Sequence, residues 1–234
     1  MNKQSNTYTI IYIIIMVVLV GSALAWTSLS LKPLQQANEK ADRMCQILAS
    51  VHLEADGTNA ISEFDKYITG QLVVNAAGDT IGTDAFNVDV ATQAKLPEAD
   101  RQLPVFVCRL ADGSEKYIIP VYGAGLWGPI WGYVSVDSDG STIYGAYYSH
   151  QGETPGLGAR IAEPEFCDKF DGKHLFKDGV FAPVSVVKAG MKPQANEDYV
   201  DAIAGATITS RGVGDMLDNC MRPYKAFLES VSKQ

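Results

Sequence analysis

Residues 104–122 read PVFVCRLADGSEKYIIPVY. Two runs rich in β-branched and aromatic residues, Pro104–Leu110 and Lys116–Tyr122, flank Ala111-Asp-Gly-Ser-Glu115. Apolar runs separated by a short Asp-Gly segment predict a strand, a tight turn and a second, antiparallel strand. The pattern recurs downstream, where Trp131–Val136 and Thr142–Tyr148 flank Asp137-Ser-Asp-Gly140. Upstream, Gln71–Asn75 is a shorter candidate strand between the turn signals Asp56-Gly57 and Gly78-Asp79. Helical spacing is predicted over 160–170 and over 211–230, the latter with Val213, Met216, Leu217, Cys220 and Met221 on one side. Strand pairs interleaved with helices predict an α+β domain, with an antiparallel or mixed sheet and flanking helices, over 57–234. Nothing in the pattern calls for a second soluble domain.

The N-terminus carries a different signal. No charged side chain occurs from Gln4 to Leu31, and Tyr8–Trp26 is a run of 19 largely apolar residues. At ~1.5 Å rise per residue such a helix spans about one bilayer core. Tyr8 and Trp26 stand at its ends, where aromatic rings favour the membrane interface. Its many Ile and Val residues weaken a helix in water, but in lipid the backbone has no other way to satisfy its hydrogen bonds. Residues 1–31 are therefore expected to be a transmembrane anchor. A cleaved leader is the competing reading, because Ala23-Leu24-Ala25 has the form of a cleavage site. Lys3 stands against Lys32, Lys40 and Arg43 beyond the run, so local charge does not set the orientation. Over 32–56 a juxtamembrane helix is expected, with Leu34, Ala37, Ala41, Met44, Ile47, Leu48 and Val51 on one stripe.

The 234 residues carry a net charge of −8, which disfavours a nucleic-acid partner, since phosphate backbones demand a basic face. Cys45, Cys108, Cys167 and Cys220 are 63, 59 and 53 residues apart, so no local Cys pair builds a metal site. They read as scattered thiols, with a site assembled by folding or a disulfide left open. No metal ligand is assigned.

Three segments are rich in glycine. Gly123–Gly132 (GAGLWGPIWG) holds four glycines and two tryptophans, which suits either a tight packed turn or close approach to a flat ligand. His150–Arg160 (HQGETPGLGAR) must form a shaped loop, presenting Glu153, Thr154 and free backbone N–H groups. It lacks the Lys-hydroxyl ending of a phosphate-binding Walker loop, and no G-x-S-x-G nucleophile motif accompanies His150. The third is Asp201–Val213 (DAIAGATITSRGV), where Thr209 or Ser210 could cap a helix beginning near Arg211. Thr207 then lies at a helix N-terminus, a setting that favours phosphate. One cap explains one hydroxyl, not two beside Gly205-Ala206.

Asp201-x-x-x-Gly205-Ala206-Thr207-x-Thr209 resembles the flavinylation motif of proteins that carry FMN through a phosphoester bond to threonine. His150–Ile161 and Gly123–Gly132 are similar to stretches of the FMN-binding domain in the C subunits of Na⁺-translocating NADH:quinone reductases. Anchor, length and motif order match that family over nearly the whole chain. Ala204 departs from it, standing where the family usually has serine.

The resemblance implies a fold of one N-terminal transmembrane helix followed by an FMN-binding domain. It implies covalent FMN on Thr207, with Asp201, Gly205, Ala206 and Thr209 in the motif that a flavin transferase reads. It also implies that Arg211 or the helix end offsets the phosphate charge, and that Glu153, Thr154, Leu157 and Gly158 line the flavin. The partners would be the A, B, D, E and F subunits of a complex that oxidises NADH, reduces ubiquinone or menaquinone and exports Na⁺. The chain itself would be an electron relay in the bacterial inner membrane, with its FMN domain on the periplasmic side. No catalytic residue is assigned, and no G-x-G-x-x-G opens a helix after a strand to bind NADH. The alternatives are the G-type electron carrier of the Rnf complex, a non-redox membrane-tethered binding module, and Thr209 as the acceptor in place of Thr207.

Overall fold

A computed structural model describes residues 6–193 and 195–233. Lys3, which enters the orientation argument, lies outside the described residues. The chain divides between Arg43 and Met44 into two compact units. The first is helical and contains most of helix α1, Asn6–Ala49, which is long and apolar enough to cross a membrane, with a mean hydropathy of 2.5 over its most apolar window.

Sequence reasoning separates an anchor over 1–31 from a juxtamembrane helix over 32–56, whereas α1 runs without a break through Pro33 and closes at Ala49. A single proline removes one helix hydrogen bond, and this helix continues past it. Val51 and His52 then turn back on Leu48 and Ala49, with His52 at φ 58°. The expected stripe is split. Met44, Ile47, Leu48 and Val51 are buried, while Leu34 is 62% exposed. Those four residues belong to the second unit.

The second unit is built on a six-stranded sheet of β1 (Ile68–Val74), β2 (Thr80–Gly82), β3 (Leu103–Arg109), β4 (Glu115–Ala124), β5 (Pro129–Asp137) and β6 (Ile143–His150). The order is β2-β1-β3-β4-β5-β6 and every neighbouring pair is antiparallel. Residues 104–122 form the β3–β4 hairpin, registered Phe106 to Ile118 and Arg109 to Glu115. Its turn needs Gly113, at φ 84°, where a Cβ would be strained. A small antiparallel pair, β7 (Phe176–Lys177) and β8 (Val180–Phe181), and a parallel pair, β9 (Ser185–Val187) and β10 (Tyr199–Asp201), lie outside the main sheet.

Both faces of the sheet are covered, which is why Ile118-Ile119-Pro120-Val121 is apolar without alternation. Successive side chains point to opposite faces. Ile119, Val121, Val134 and Val136 share one core with Val213, Met216 and Leu217 of α5 (Thr207–Met221) and Leu228 of α6 (Lys225–Val231), which follow two single-turn helices, α3 (Val90–Gln93) and α4 (Pro164–Cys167). On Phe106, the rings of Phe64 in α2 (Ala60–Tyr67) and of Phe86 pack edge to face, with centroids 6.0–6.4 Å apart. The last turn of α1 is tied to β5 by Trp131 Nε1 donating to Gln46 Oε1 at 3.0 Å and by the Ser135 hydroxyl donating to the Ser50 carbonyl at 2.6 Å.

Two expected helices are broken by proline. Over 160–170 the chain forms a 3-10 turn, a single turn (Pro164–Cys167) and a second 3-10 turn. Pro164 has no N–H to extend a helix from 160–163. Over 211–230 the helix starts earlier, at Thr207, and a 3-10 turn holding Pro223 separates α5 from α6. Helix α5 lies close to β4 because Gly212 allows it. A Cβ at Gly212 would overlap the Ala124 carbonyl oxygen.

Truncation separates the two placements of the domain start. Removing residues before Met44 is expected to leave the domain intact. Starting at Gly57 removes four buried apolar side chains worth ~1.5–3 kcal/mol each, and is expected to lower Tm by at least about 12 °C. Thermal melts of the two truncated proteins check this.

Candidate functional site

The three glycine-rich segments converge on one buried carboxylate. Glu153 is 5% exposed. Its Oε1 accepts from the Trp127 backbone N–H at 2.8 Å, and its Oε2 accepts from the Thr209 hydroxyl at 2.6 Å. Trp127 belongs to the β4–β5 turn, closed by Gly125 N–H donating to the Gly128 carbonyl at 2.8 Å, and Thr209 belongs to the first turn of α5. Glu153 also donates its own N–H to His150 Nδ1 at 3.2 Å, giving that histidine a structural partner. A carboxylate is tolerated here because both oxygens are hydrogen-bonded.

Glycine makes this convergence possible. A Cβ at Gly158 would overlap Glu153 Oε2 and lie 2.8 Å from Thr209 Oγ1. One at Gly125 would lie 2.5 Å from Glu153 Oε1 and 2.9 Å from Ile130 Cγ2. Any side chain at either position displaces the carboxylate.

The start of α5 sorts the hydroxyls. Its cap is Ala206, with no side-chain cap bond, which corrects the expectation that Thr209 or Ser210 caps a helix starting near Arg211. Both lie inside the first turn and are buried. The Ser210 hydroxyl accepts from the Ile203 N–H at 3.1 Å, and the Thr209 hydroxyl is held by Glu153. Thr207, the first helical residue, is exposed. Gly205 enters the helix at φ 81°, and the Leu157 side chain lies over it, 3.0 Å from where a Cβ would stand. Leu157 and Ile208 are 43% and 62% exposed, and Trp127 is 68% exposed.

Arg211 lies one turn after Thr207 on the same helix face. The two share a cleft of ≈ 230 Å³ with Val186, Lys188, Met191 and Lys192. Glu153, Gly158, Thr209, Leu157 and Gly205 are thus brought together, and Thr207 and Arg211 form a second group beside them. Thr154 shapes the loop through its carbonyl, which accepts from Leu157 N–H at 3.1 Å and Ala159 N–H at 3.2 Å. Asp201 ends β10 with an exposed side chain outside both groups. Sequence reasoning missed Lys188 and Lys192. Their only signal is two lysines four apart in the loop before the threonine motif.

That loop is pinned by Asp198, which accepts from the His174 N–H and from Lys177 Nζ, each at 2.9 Å. Partial burial alone would raise the Asp198 pKa, but the bonds from Lys177 and His174 outweigh it and lower it to about 2. A lowered carboxyl pKa stabilises the fold above the unfolded value of 3.8 and loses that contribution as pH falls toward about 2. Melts of wild type and Asp198→Asn are therefore expected to differ at pH 6 and to converge toward pH 2.

All four cysteines are free thiols. Burial pushes the Cys108 and Cys167 thiols up to about 11, so both are protonated and unreactive at neutral pH.

Residues 125–222 match the model of the FMN-binding domain family. The chain is 33% identical over 207 residues to the C subunit of the Na⁺-translocating NADH-quinone reductase of Vibrio vulnificus, covering 82% of this chain and 81% of that protein. It is 31% identical to the C subunit of Haemophilus ducreyi, covering 99% and 97% respectively. Among solved structures, the C subunit from Parabacteroides distasonis superimposes with a TM-score of 0.79 at 48% identity, covering 85% of this chain and 96% of that one. The Shewanella oneidensis NqrC gives 0.67 at 27% identity, covering 84% and 99%. With its antiparallel sheet, flanking helices and match along nearly its whole length, the chain belongs to the family of Na⁺-translocating NADH-quinone reductase C subunits.

Proposed function

We propose that this chain is a membrane-anchored flavoprotein subunit of a Na⁺-translocating NADH:quinone reductase and carries FMN esterified through its phosphate to Thr207. The observation that carries the attachment point is the sorting of hydroxyls at the start of α5. Thr207 is exposed, while Thr209 is 1% exposed and Ser210 fully buried, each with its hydroxyl engaged. Ala204 and Gly205, both exposed, leave room for a flavin transferase to reach the hydroxyl.

The residues present fit the group. The uncapped first turn of α5 and the guanidinium of Arg211 oppose the phosphate charge. Leu157, Ile208 and Trp127 offer exposed apolar surface for a ring system. Glu153 holds the Trp127 turn, the 150s loop and α5 in fixed relation, so those surfaces are preorganised. FMN supplies one- and two-electron redox chemistry when bound. The chain binds and orients it, and hands electrons on between neighbours drawn from the A, B, D, E and F subunits of the complex.

Residues 1–31 are the proposed anchor in the bacterial inner membrane, followed by the juxtamembrane stretch 32–56 and the FMN domain 57–234 on the periplasmic side. The apolar run has no charge between Gln4 and Leu31, so the Na⁺ path runs through other subunits. Co-expression with a flavin transferase, followed by denaturing electrophoresis, tests the reading. A flavin-fluorescent band at this chain is expected. A dark band from fully matured protein contradicts it and favours the non-redox binding module.

A further inference from the structure

We propose that the cleft beside Thr207 is a phosphate-group site built from Lys188, Lys192 and Arg211, that it binds free polyphosphate anions in the unloaded protein, and that the phosphate attached to Thr207 occupies it in the loaded one. The last part rests on Thr207 as the attachment point; the first two do not.

Charge sorting carries the argument. The cleft is lined by three cationic side chains and no carboxylate, in a chain whose net charge is −8. Arg211 also borders a second cleft, and that one is lined by Glu197, Asp215 and Asp218. The two sides of one helix thus carry opposite charge, so the cationic side is a local feature and not a general surface bias. A concave site lined by one sign of charge focuses the field and concentrates counter-ions. Thr207 lines the same space.

The cations come from two elements that are fixed in place. Arg211 stands on α5. Lys188 and Lys192 lie on the β9–β10 connection, which is held at one end by the parallel pairing of Ser185–Val187 with Tyr199–Asp201. Asp198, with its His174 and Lys177 partners, and Asn196, donating to Asp178 Oδ2 at 2.6 Å, tie its far end to the β7–β8 hairpin. A phosphodiester carries one negative charge, fewer than the cations around it. The unloaded cleft is therefore expected to accept a more highly charged free anion, and to do so in a salt-sensitive way because the lysines are exposed.

Inorganic pyrophosphate is the probe. The full chain, purified in detergent from cells lacking a flavin transferase, is titrated calorimetrically at low ionic strength. One saturable site is expected. Lys188→Ala with Lys192→Ala is expected to weaken binding about tenfold, as loss of two exposed charge contacts implies. Lys188→Arg with Lys192→Arg keeps the charge and is expected to retain binding, with melting temperatures confirming that both variants fold. FMN-loaded protein is expected not to bind. No saturable binding by wild type, or equal binding by the double alanine variant, overturns the site. Binding by loaded protein as strong as by unloaded protein overturns the placement of the attached phosphate. Intact mass of each preparation reports loading independently, so an error about Thr207 appears as a missing adduct and not as lost pyrophosphate binding.

Discussion

Thr207→Ala, matured beside a flavin transferase, is expected to fold normally and to carry no flavin. Thr209→Ala is expected to keep the flavin and lose stability. The contrast follows from two hydroxyls on one helical turn. The Thr207 side chain is exposed, so removing its hydroxyl deletes an acceptor without disturbing packing. Stability is expected to change by no more than about 0.5 kcal/mol, as for other exposed positions. The Thr209 hydroxyl is buried and donates to Glu153 Oε2. Its loss leaves a buried carboxylate oxygen short of a partner, at a cost of about 1–3 kcal/mol. In-gel fluorescence and thermal melts read the two effects on the same preparations. A fluorescent Thr207→Ala band beside a dark Thr209→Ala band reverses the assignment.

The second large effect is expected at Glu153. Glu153→Ala removes the acceptor for both the Trp127 N–H and the Thr209 hydroxyl, and opens a hole between Gly125 and Gly158. A destabilisation of about 2–4 kcal/mol is expected, a fall in Tm of about 5–15 °C. Glu153→Gln keeps the shape. Its amide oxygen can accept from Trp127, and its NH₂ can donate to the Thr209 oxygen, so the cost is expected to stay near 1 kcal/mol. Gly158→Ala acts on the same contact from the other side by driving a methyl group into Glu153 Oε2 and Thr209 Oγ1. It is expected to resemble Glu153→Ala in melting temperature. If all three variants melt like wild type, Glu153 does not brace the three segments.

The sheet was legible because its information is local. The runs at 104–110 and 116–122 and the Asp112-Gly113 turn between them specify a hairpin without reference to the rest of the chain, and the structure builds it there. The helix limits were less legible. Apolar spacing continues through Pro164 and Pro223, and periodicity alone does not weigh a missing N–H. Pro33 went the other way, being absorbed within α1. Where the second unit begins depends on how the end of α1 is held, and the bonds that hold it come from Trp131 and Ser135 on β5, some 85 residues away.

The site divides in the same manner. Thr207, Arg211 and the loop carrying Glu153 are proposed from motif, resemblance and glycine content. The role of Glu153 was not, because its partners are 26 and 56 residues away and no spacing rule joins them. Lys188 and Lys192 belong to no motif. Only the folding of the β9–β10 connection beside α5 gives them a common cleft with Thr207.

The most direct measurement is peptide mapping by mass spectrometry of fully matured protein. An addition of FMN less water is expected on the peptide containing Thr207, with fragment ions placing it on that residue, and no addition is expected in Thr207→Ala. A matured chain with no adduct of that mass, or with the adduct on Thr209, contradicts the account.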